Sequence, residues 1–353
     1  MSEIAVGATM GPVVGSPFRL VEASAAEYIA GLGPWTAVVH DPPWSAMSGS
    51  VPAPTRLIHA WDMEVATLEA LVEGEPDTSE VIVGIGGGTA ADTAKYLAWK
   101  TGKRFVQVPT IISVDAAMTE SVGVRVDGRV RYHGSVEPEA VIIDLPLIRT
   151  APARLNRAGV GDILSCHTGL DDWRRGAAVG RDAPWRTDLA ALSLSMLEGL
   201  DAAAEDINAR SDDGLRFMAE SYALIGGACR EATHARFEEG SEHFLAYAHE
   251  HRTGAHLVHG ELVSFGVVAM STMQGNKPAW AADVIRRAGV LAHPDHLGIS
   301  REDLDAALLG LRDYCRAESL WWSVADEVPI DGPDDPILDT IWSAVSELPG
   351  AAR

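Results

Sequence analysis

The sequence predicts an α/β protein with an N-terminal parallel-sheet domain and a C-terminal all-helical domain. Short β-branched runs alternate with helical stretches over the first 150 residues, whereas helical periodicity dominates afterwards. The length of 353 residues also exceeds what one ordinary hydrophobic core accommodates. We therefore place a domain boundary near Thr150, with domains over 1–150 and 151–353.

Continuous apolar runs define the strands of the first domain. We predict strands at Thr36–His40, Thr55–Trp61, Glu80–Gly88, Arg104–Thr110 and Ala140–Ile148. Helices are predicted between them: residues 63–74 have leucines and valines at helical spacing, and residues 89–102 end at a glycine. Apolar strands that alternate with helices are typical of a parallel sheet covered on both faces.

The second domain is predicted to be helical throughout. Apolar residues recur at helical spacing in four long stretches: Asp188–Ala204, Leu215–Ala228, Glu261–Met273 and Arg301–Tyr314. β-branched runs nearly vanish after residue 151. We find no internal repeat and no low-complexity linker.

Composition and net charge limit the kinds of molecule that we expect this protein to bind. The chain is 47% hydrophobic and 22% charged, as in globular proteins, and its formal net charge is −22. Such a surface repels nucleic acid and anionic membranes, so we expect a small-molecule substrate instead. Three widely spaced cysteines indicate no disulfide framework. No signal peptide or membrane span is recognisable, which favours the cytoplasm.

A glycine-rich turn follows the predicted strand Glu80–Gly88. Gly86, Gly87 and Gly88 lead into a helix that begins near Thr89. Glycines let the backbone approach a pyrophosphate, and a helix N-terminus offers free N–H groups and a positive dipole end. Thr89 can cap the helix or donate its hydroxyl to phosphate. The alternative is a tight turn that needs glycine for its backbone conformation.

Asp41 closes the first predicted strand. A carboxylate there can accept hydrogen bonds from the ribose hydroxyls of adenosine and repel a 2′-phosphate, which favours NAD while leaving NADP open. The residue precedes two prolines, so it can equally be only a turn former.

Several segments together resemble one family. GIGGGTAADTAK is similar to the glycine turn of the dehydroquinate synthase, glycerol dehydrogenase and iron-containing alcohol dehydrogenase superfamily. Residues 157–173 resemble the AGxGDxxSxxTAxxDW segment of glycerol-1-phosphate dehydrogenases. GSEH at 240–243 and LVHGE at 257–261 resemble two further motifs of that family, in the family's order.

The resemblance implies a dehydroquinate synthase-like fold. It comprises a Rossmann-like nucleotide domain and a helical domain, with the active site in the cleft between them and assembly into dimers or larger oligomers. It also implies one divalent metal ion, held here by Asp162, His243 and His259. Two imidazoles and a carboxylate suit Zn²⁺, and also Fe²⁺ or Ni²⁺.

Histidine spacing supports a metal site independently, though weakly. Five of the twelve histidines lie within the seventeen residues from His243 to His259. Taken alone, such clustering is more often a solvated helix face. We interpret His249 and His251 as surface residues.

Further roles follow from the resemblance. The family places an aspartate near substrate and metal where Asp115 stands, although a turn or helix cap is an equal alternative. Thr110, Ser113 and Asp92 are expected on the cofactor side, whereas Thr89 and Lys95 can equally be structural.

The chain also departs from the family pattern. The SHDG segment reads SVDA, so Val114 replaces its histidine. SNYTAV becomes SCHTGL, which places Cys166 and His167 close in sequence to Asp162. Before GSEH the family has small residues or proline, but this chain reads HARFEE at 234–239. His256 is predicted one helical turn before His259 and is a second candidate catalytic residue.

Two activities fit these features. The first is NAD(P)-linked, metal-dependent oxidation or reduction of a small polyol, hydroxy-aldehyde or their phosphates. The rival is a sugar-phosphate cyclase that uses NAD transiently and surrounds its leaving phosphate with lysines. No lysine lies between Lys103 and Lys277, which favours the dehydrogenase, although arginines can also bind anions. A non-enzymatic binding protein is the third alternative.

Overall fold

The computed structural model describes residues 18–126 and 129–351. The chain forms two compact units: the first runs to Asn156 and adds Ala219–Thr233, and the second comprises Arg157–Met218 and His234–Arg353. The division falls six residues beyond the predicted boundary at Thr150. Asn156 bonds within the first unit, since its side chain accepts a hydrogen bond from the Ile112 amide (3.1 Å) and donates one to the Ile148 carbonyl (2.9 Å).

The strands of the described chain belong to the first unit. They are β1 (Arg19–Glu22), β2 (Trp35–Val39), β3 (Arg56–His59), β4 (Val81–Gly86), β5 (Arg104–Pro109), β6 (Ser121–Val126), β7 (Arg129–Ser135) and β8 (Ala140–Ile143). Six of them form a sheet in the order β1-β8-β5-β4-β2-β3, and every neighbouring pair is parallel. The predicted parallel sheet is therefore confirmed.

The sequence pattern did not predict two features of the strands. β1 has only four residues, and the antiparallel pair β6–β7 has no continuous apolar run, since nearly all of β7 is exposed. Among the described strands, the glycine turn consequently follows the fourth and not the third.

Helices α1 to α6 complete this part of the chain. They are α1 (Ala25–Ala30), α2 (Asp41–Met47), α3 (Val65–Glu73), α4 (Gly88–Thr101), α5 (Leu145–Thr150) and α6 (Ala153–Ala158). The strand predicted at Ala140–Ile148 was wrong in its second half. Asp144 caps α5 by accepting a hydrogen bond from the Leu147 amide (3.0 Å), and a proline in the first turn favours the helix.

Both faces of the sheet are buried. Val83 and Ile85 of β4 pack in one apolar cluster, whereas Ile82 of the same strand packs in another with Phe105. Successive side chains of a strand point to opposite faces, so the two clusters cover the two faces. This confirms the predicted double coverage.

Helices make up the described part of the second unit. They are α7 (Val160–Leu164), α8 (Cys166–Ala178), α9 (Thr187–Ala209), α10 (Asp212–Ala232), α11 (Ser241–Thr253), α12 (His259–Gln274), α13 (Pro278–Ala288), α14 (Pro294–Leu297), α15 (Arg301–Ala317), α16 (Val324–Glu327) and α17 (Pro336–Val345). Part of α10 belongs to the first unit. The four predicted helices lie within α9, α10, α12 and α15.

α12 is the central helix of the second unit. It is buried from Gly260 to Ser271 and packs against α7, α11, α13 and α17. A helix surrounded on all sides is apolar all round, as the run from Leu262 to Met270 shows. No helix among the described residues combines the length and the apolar character that a membrane crossing requires.

Candidate functional site

Three side chains predicted from separate motifs meet in the second unit. Asp162 lies on α7, His243 on α11, and His259 is the first residue of α12. One ligand atom from each lies within 4.8 Å of the others. Nε2 of His259 is 3.5 Å from Oδ1 of Asp162, and the two imidazole centroids are 5.3 Å apart. The three side chains together could hold a metal ion.

Glycines set the approach of the end of α6 and of α7 to α12. A β-carbon at Gly260 would lie 1.9 Å from the carbonyl oxygen of Ala158, and one at Gly161 would lie 2.4 Å from the carbonyl oxygen of Gly260. Neither position has space for a side chain. Because each glycine is the sequence neighbour of a candidate ligand, this backbone contact brings Asp162 and His259 together.

A third glycine sets the approach of α11 to α12. A β-carbon at Gly266 would lie 2.7 Å from the carbonyl oxygen of Glu242. The residue after Glu242 is His243, so this contact positions the remaining candidate ligand.

Glu242 orients His243. Its side chain is fully buried, and Oε1 accepts hydrogen bonds from the Gly240 amide (2.7 Å) and from Nδ1 of His243 (2.8 Å). Binding at Nδ1 leaves Nε2 of the imidazole for a metal ion, which is how carboxylates commonly support histidine ligands. Sequence analysis missed this role, although Glu242 stands beside His243 in the GSEH motif.

The two imidazoles differ in their proton affinity. Burial and the neighbouring His243 lower the pKa of His259 to about 3, which keeps that ring neutral. Burial also lowers the pKa of His243, but the hydrogen bond and charge of Glu242 outweigh it and raise the pKa to about 9. A metal cation can take the place of the proton on His243, because the same carboxylates attract both. The donor set thus fits a divalent metal ion.

The segment before α11 is anchored by buried charges. Arg236 is fully buried and forms an ion pair with Asp182 (2.7 Å), which is also fully buried. Asp172 accepts hydrogen bonds from the amides of Ser241 and Val324, both at 2.7 Å. Burial raises the pKa of Asp172 to about 6. These contacts hold the start of α11, and with it His243.

In the first unit, side chains surround the glycine turn closely. β-carbons at Gly86 and Gly87 would lie 2.9 Å from Nδ1 of His40 and 2.7 Å from Cδ1 of Ile111. A β-carbon at Gly88 would lie 3.3 Å from Val114, the residue that replaces the family's histidine. The Gly87 amide donates to Nδ1 of His40 at 3.3 Å.

The expectation that Thr89 caps α4 was wrong. The helix begins one residue earlier, and Gly87, in an extended conformation, is the capping residue. No side chain caps this N-terminus. It therefore retains the polarity that a phosphate group would meet.

The remaining cofactor-side candidates differ in exposure. Asp92 is buried, accepts a hydrogen bond from the Gly123 amide (3.1 Å) and pairs with Lys95 (2.8 Å). Thr110 and Ser113 are also buried, and the Thr110 amide donates to the Gly86 carbonyl at 3.1 Å. Asp92 and Lys95 thus tie α4 to β6, whereas Thr110 adjoins the glycine turn.

Asp41 and Asp115 lie in segments that follow strands β2 and β5. Asp41 follows β2, is exposed, and pairs with His59 at the end of the adjacent strand β3. Asp115 begins a short 3₁₀ helix in the segment after β5, and its carbonyl accepts a hydrogen bond from the Met118 amide.

Two histidine expectations were wrong. His256 is exposed and lies in the non-helical segment 254–258, so it is not on a helical turn before His259. The helix α11 ends at Gly254 in a left-handed conformation, which breaks the periodicity. His249 is buried, since its face of α11 packs against α15, whereas His251 is exposed as expected.

Cys166 and His167 are also buried. His167 binds the Asn276 carbonyl (2.6 Å) and packs on the ring of Trp280. The three cysteines are free, as predicted.

Solved structures identify the fold. The structure aligns with a probable glycerol dehydrogenase from Sinorhizobium meliloti with a TM-score of 0.68 at 22% identity, over 91% of this chain and 93% of that one. The sequence profile of the iron-containing alcohol dehydrogenases matches residues 50–152. The fold is therefore that of the glycerol dehydrogenases and iron-containing alcohol dehydrogenases.

Relatives define the family more closely. A glycerol-1-phosphate dehydrogenase [NAD(P)+] from Cenarchaeum symbiosum is 33% identical over 246 residues, which is 67% of each chain. Another, from Sulfurisphaera tokodaii, is 30% identical over 245 residues, 69% of each chain. The chain belongs to the glycerol-1-phosphate dehydrogenase family, whose members are NAD(P)-dependent oxidoreductases.

The backbone contact at Gly260 gives a direct test. Replacing Gly260 by Ala forces the carbonyl of Ala158 away, so we expect a loss of about 1–3 kcal/mol or more in the free energy of unfolding. Urea denaturation measures this loss, and elemental analysis should show less bound metal because Asp162 and His259 separate.

Gly310→Ala on α15 is the matched control, since nothing lies within 4 Å of a β-carbon there. This variant should keep its metal and gain roughly 0.5–1 kcal/mol in stability. Equal stability and metal content in both variants would contradict the proposed constraint.

Proposed function

We propose that this protein transfers hydride between NAD(P) and a small polyol, hydroxy-aldehyde or their phosphate, with a divalent metal ion held by Asp162, His243 and His259. The observation that carries the proposal is the convergence of these three side chains from separate helices. Zn²⁺ is the favoured ion, with Fe²⁺ or Ni²⁺ as alternatives.

The protein's own groups have defined roles in this proposal. When bound, the ion supplies a Lewis acid that makes an alcohol easier to deprotonate and a ketone easier to reduce. Asp162 contributes a buried carboxylate, and His259 a neutral nitrogen. Glu242 holds the ring of His243 in one orientation. The polar groups are thus positioned before substrate arrives, which lowers the cost of reorganisation.

The glycine turn is the proposed cofactor site. Gly86, Gly87 and Gly88 allow close approach of a pyrophosphate to the uncapped N-terminus of α4, where Thr89 stands in the first turn. Thr110, Ser113 and Asp92 line or support this region, and Asp41 binds the adenosine ribose. The cofactor supplies the hydride acceptor or donor.

Three further features are part of the proposal. Asp115 and His256 act on the substrate as catalytic groups. The protein works in the cytoplasm as a dimer or larger homo-oligomer. Its partners are small molecules, and neither nucleic acid nor a membrane is among them, which agrees with the net charge of −22.

Cofactor turnover tests the reaction class. With dihydroxyacetone or its phosphate as substrate, we expect NADH consumption, followed at 340 nm, in proportion to product. A cyclase returns its NAD unchanged and releases inorganic phosphate. Phosphate release from a sugar phosphate without net cofactor change would therefore overturn the dehydrogenase in favour of the cyclase.

Removing one ligand tests the metal site. His259→Ala deletes one of three protein ligands, so metal content should fall well below about one ion per chain, together with activity. His251→Ala removes an exposed histidine from the same unit and should change neither. Full metal occupancy in the His259 variant would refute its assignment.

Asp41 tests cofactor choice. We expect NADH to bind more tightly than NADPH, because the carboxylate repels the 2′-phosphate. Asp41→Ala should reduce this preference several-fold, whereas Asp77→Ala, at an exposed position elsewhere in the first unit, should not. Fluorescence titration of both cofactors gives the ratio. An unchanged ratio in the Asp41 variant would make Asp41 a turn residue only.

A further inference from the structure

Three neighbouring strands of the sheet end side by side at the proposed cofactor site. β2 lies between β4 and β3, and Val39 of β2 is in register with Ile85 of β4 and with His59 of β3. The glycine turn follows Ile85, and Asp41 follows Val39 by two residues. Since neighbouring strands are about 4.8 Å apart, the turn and the end of β3 are separated by about 10 Å. A dinucleotide whose pyrophosphate binds at the glycine turn can therefore extend its adenosine ribose along this edge, past Asp41 towards His59.

His40 connects Asp41 to the glycine turn. Nδ1 of His40 accepts a hydrogen bond from the Gly87 amide (3.3 Å), and the His40 amide donates to the Ile85 carbonyl (3.0 Å). Asp41 is the next residue and begins α2, whose first turn contains two prolines. Proline restricts the backbone, so the position of Asp41 beside the turn is well defined.

His59 is the partner of Asp41. Nδ1 of its imidazole is hydrogen-bonded to Oδ1 of Asp41, which leaves Nε2 on the other side of the ring. The side chains of His59 and Asp41 are 52% and 75% exposed. A bound ribose can thus contact both groups, and surrounding water limits the effect of their charges to several-fold changes in binding.

Other charged groups near β3 have partners elsewhere. Between β2 and α3 the sequence contains one arginine, Arg56, and no lysine. Arg56 begins β3, at the end opposite His59, where it is paired with a glutamate at 3.2 Å. Asp62 accepts a hydrogen bond from the Thr67 hydroxyl of α3 at 2.8 Å. His59 is therefore the basic side chain of this segment that contacts Asp41.

The helix α3, which packs on β3, also directs its charges away from His59. Glu69 pairs with Lys100 at 2.8 Å. Glu73 precedes Gly74, where a β-carbon would lie 2.9 Å from Nη2 of Arg56, so this end of α3 lies at the start of β3. Asp41 thus remains the charged group that faces the imidazole.

We propose that His59 determines how strongly this protein discriminates between NAD and NADP. While the ring is neutral, the Asp41 carboxylate binds the 2′-hydroxyl of NAD and repels the 2′-phosphate of NADP. When the ring is protonated, its charge balances that of Asp41, and Nε2 donates a hydrogen bond to the 2′-phosphate. Histidine side chains change charge between about pH 5 and 8, so a fall in pH favours NADP. This inference rests on the proposed cofactor site and adds the residue that sets its selectivity.

Calorimetry tests the proposal, with NAD⁺ and NADP⁺ titrated at pH 6.5 and pH 8.5 into four metal-loaded proteins. These are the parent, His59→Gln, His59→Arg and His133→Gln. Glutamine can still donate a hydrogen bond to Asp41, so His59→Gln removes the charge and keeps a donor. His133 is an exposed histidine of β7 and provides the same change elsewhere in the first unit. The ratio of the two dissociation constants cancels effects on the shared pyrophosphate, including those of His40.

The parent should prefer NAD⁺ at pH 8.5, and its ratio should shift towards NADP⁺ by about threefold or more at pH 6.5. His133→Gln should behave in the same way. In His59→Gln the shift should shrink to the small change caused by protonation of the 2′-phosphate itself, whose pKa is about 6. His59→Arg carries a permanent charge, so it should bind NADP⁺ more tightly than the parent at both pH values.

A His59→Gln variant that keeps the full pH shift of the parent would overturn the inference. So would a His59→Arg variant whose ratio at pH 8.5 equals that of the parent. In both cases the two cofactors still bind, and the proposed dehydrogenase stands. If neither cofactor binds the parent, the proposed cofactor site and the inference fail together.

Discussion

The backbones of α7 and α12 touch at Gly161 and Gly260 with no space for a β-carbon, and the proposed metal centre depends on this contact. Each glycine adjoins a candidate ligand, so the position of the helices is also the position of Asp162 and His259. Since α12 is buried along most of its length, neighbouring helices resist any shift that would open the contact. The ligand geometry is therefore a property of helix packing and not of a flexible loop.

Buried polar groups extend this constraint to the third ligand. Glu242 is fully buried between the Gly240 amide and His243, while Asp172 and the Arg236–Asp182 pair hold the chain just before α11. Buried charges lose their hydration, so they are tolerated only where partners satisfy them. Such a network adds little net stability, but it gives the imidazole of His243 one orientation.

The first unit meets a different requirement. A pyrophosphate needs free backbone N–H groups. The Gly87 amide already donates to His40, but no side chain caps the N-terminus of α4, which follows a parallel strand. Side-chain atoms of His40 and Ile111 lie within 3 Å of the positions that β-carbons at Gly86 and Gly87 would take, so a larger residue there would have to displace them.

Short stretches of sequence determined much of the fold and of the candidate site. Strand runs, helix periodicity, the glycine turn and the motifs that contain the metal ligands are read over a few residues, because burial on one face and close backbone approach select residue types position by position. Local signals failed where capping competed with hydrophobicity, as at Asp144, and where a strand such as β7 carried no apolar run. Tertiary structure alone decided that His249 is buried and that His256 lies outside the helix. These facts depend on which helices pack together, and a short stretch of sequence does not show which distant segments will contact it.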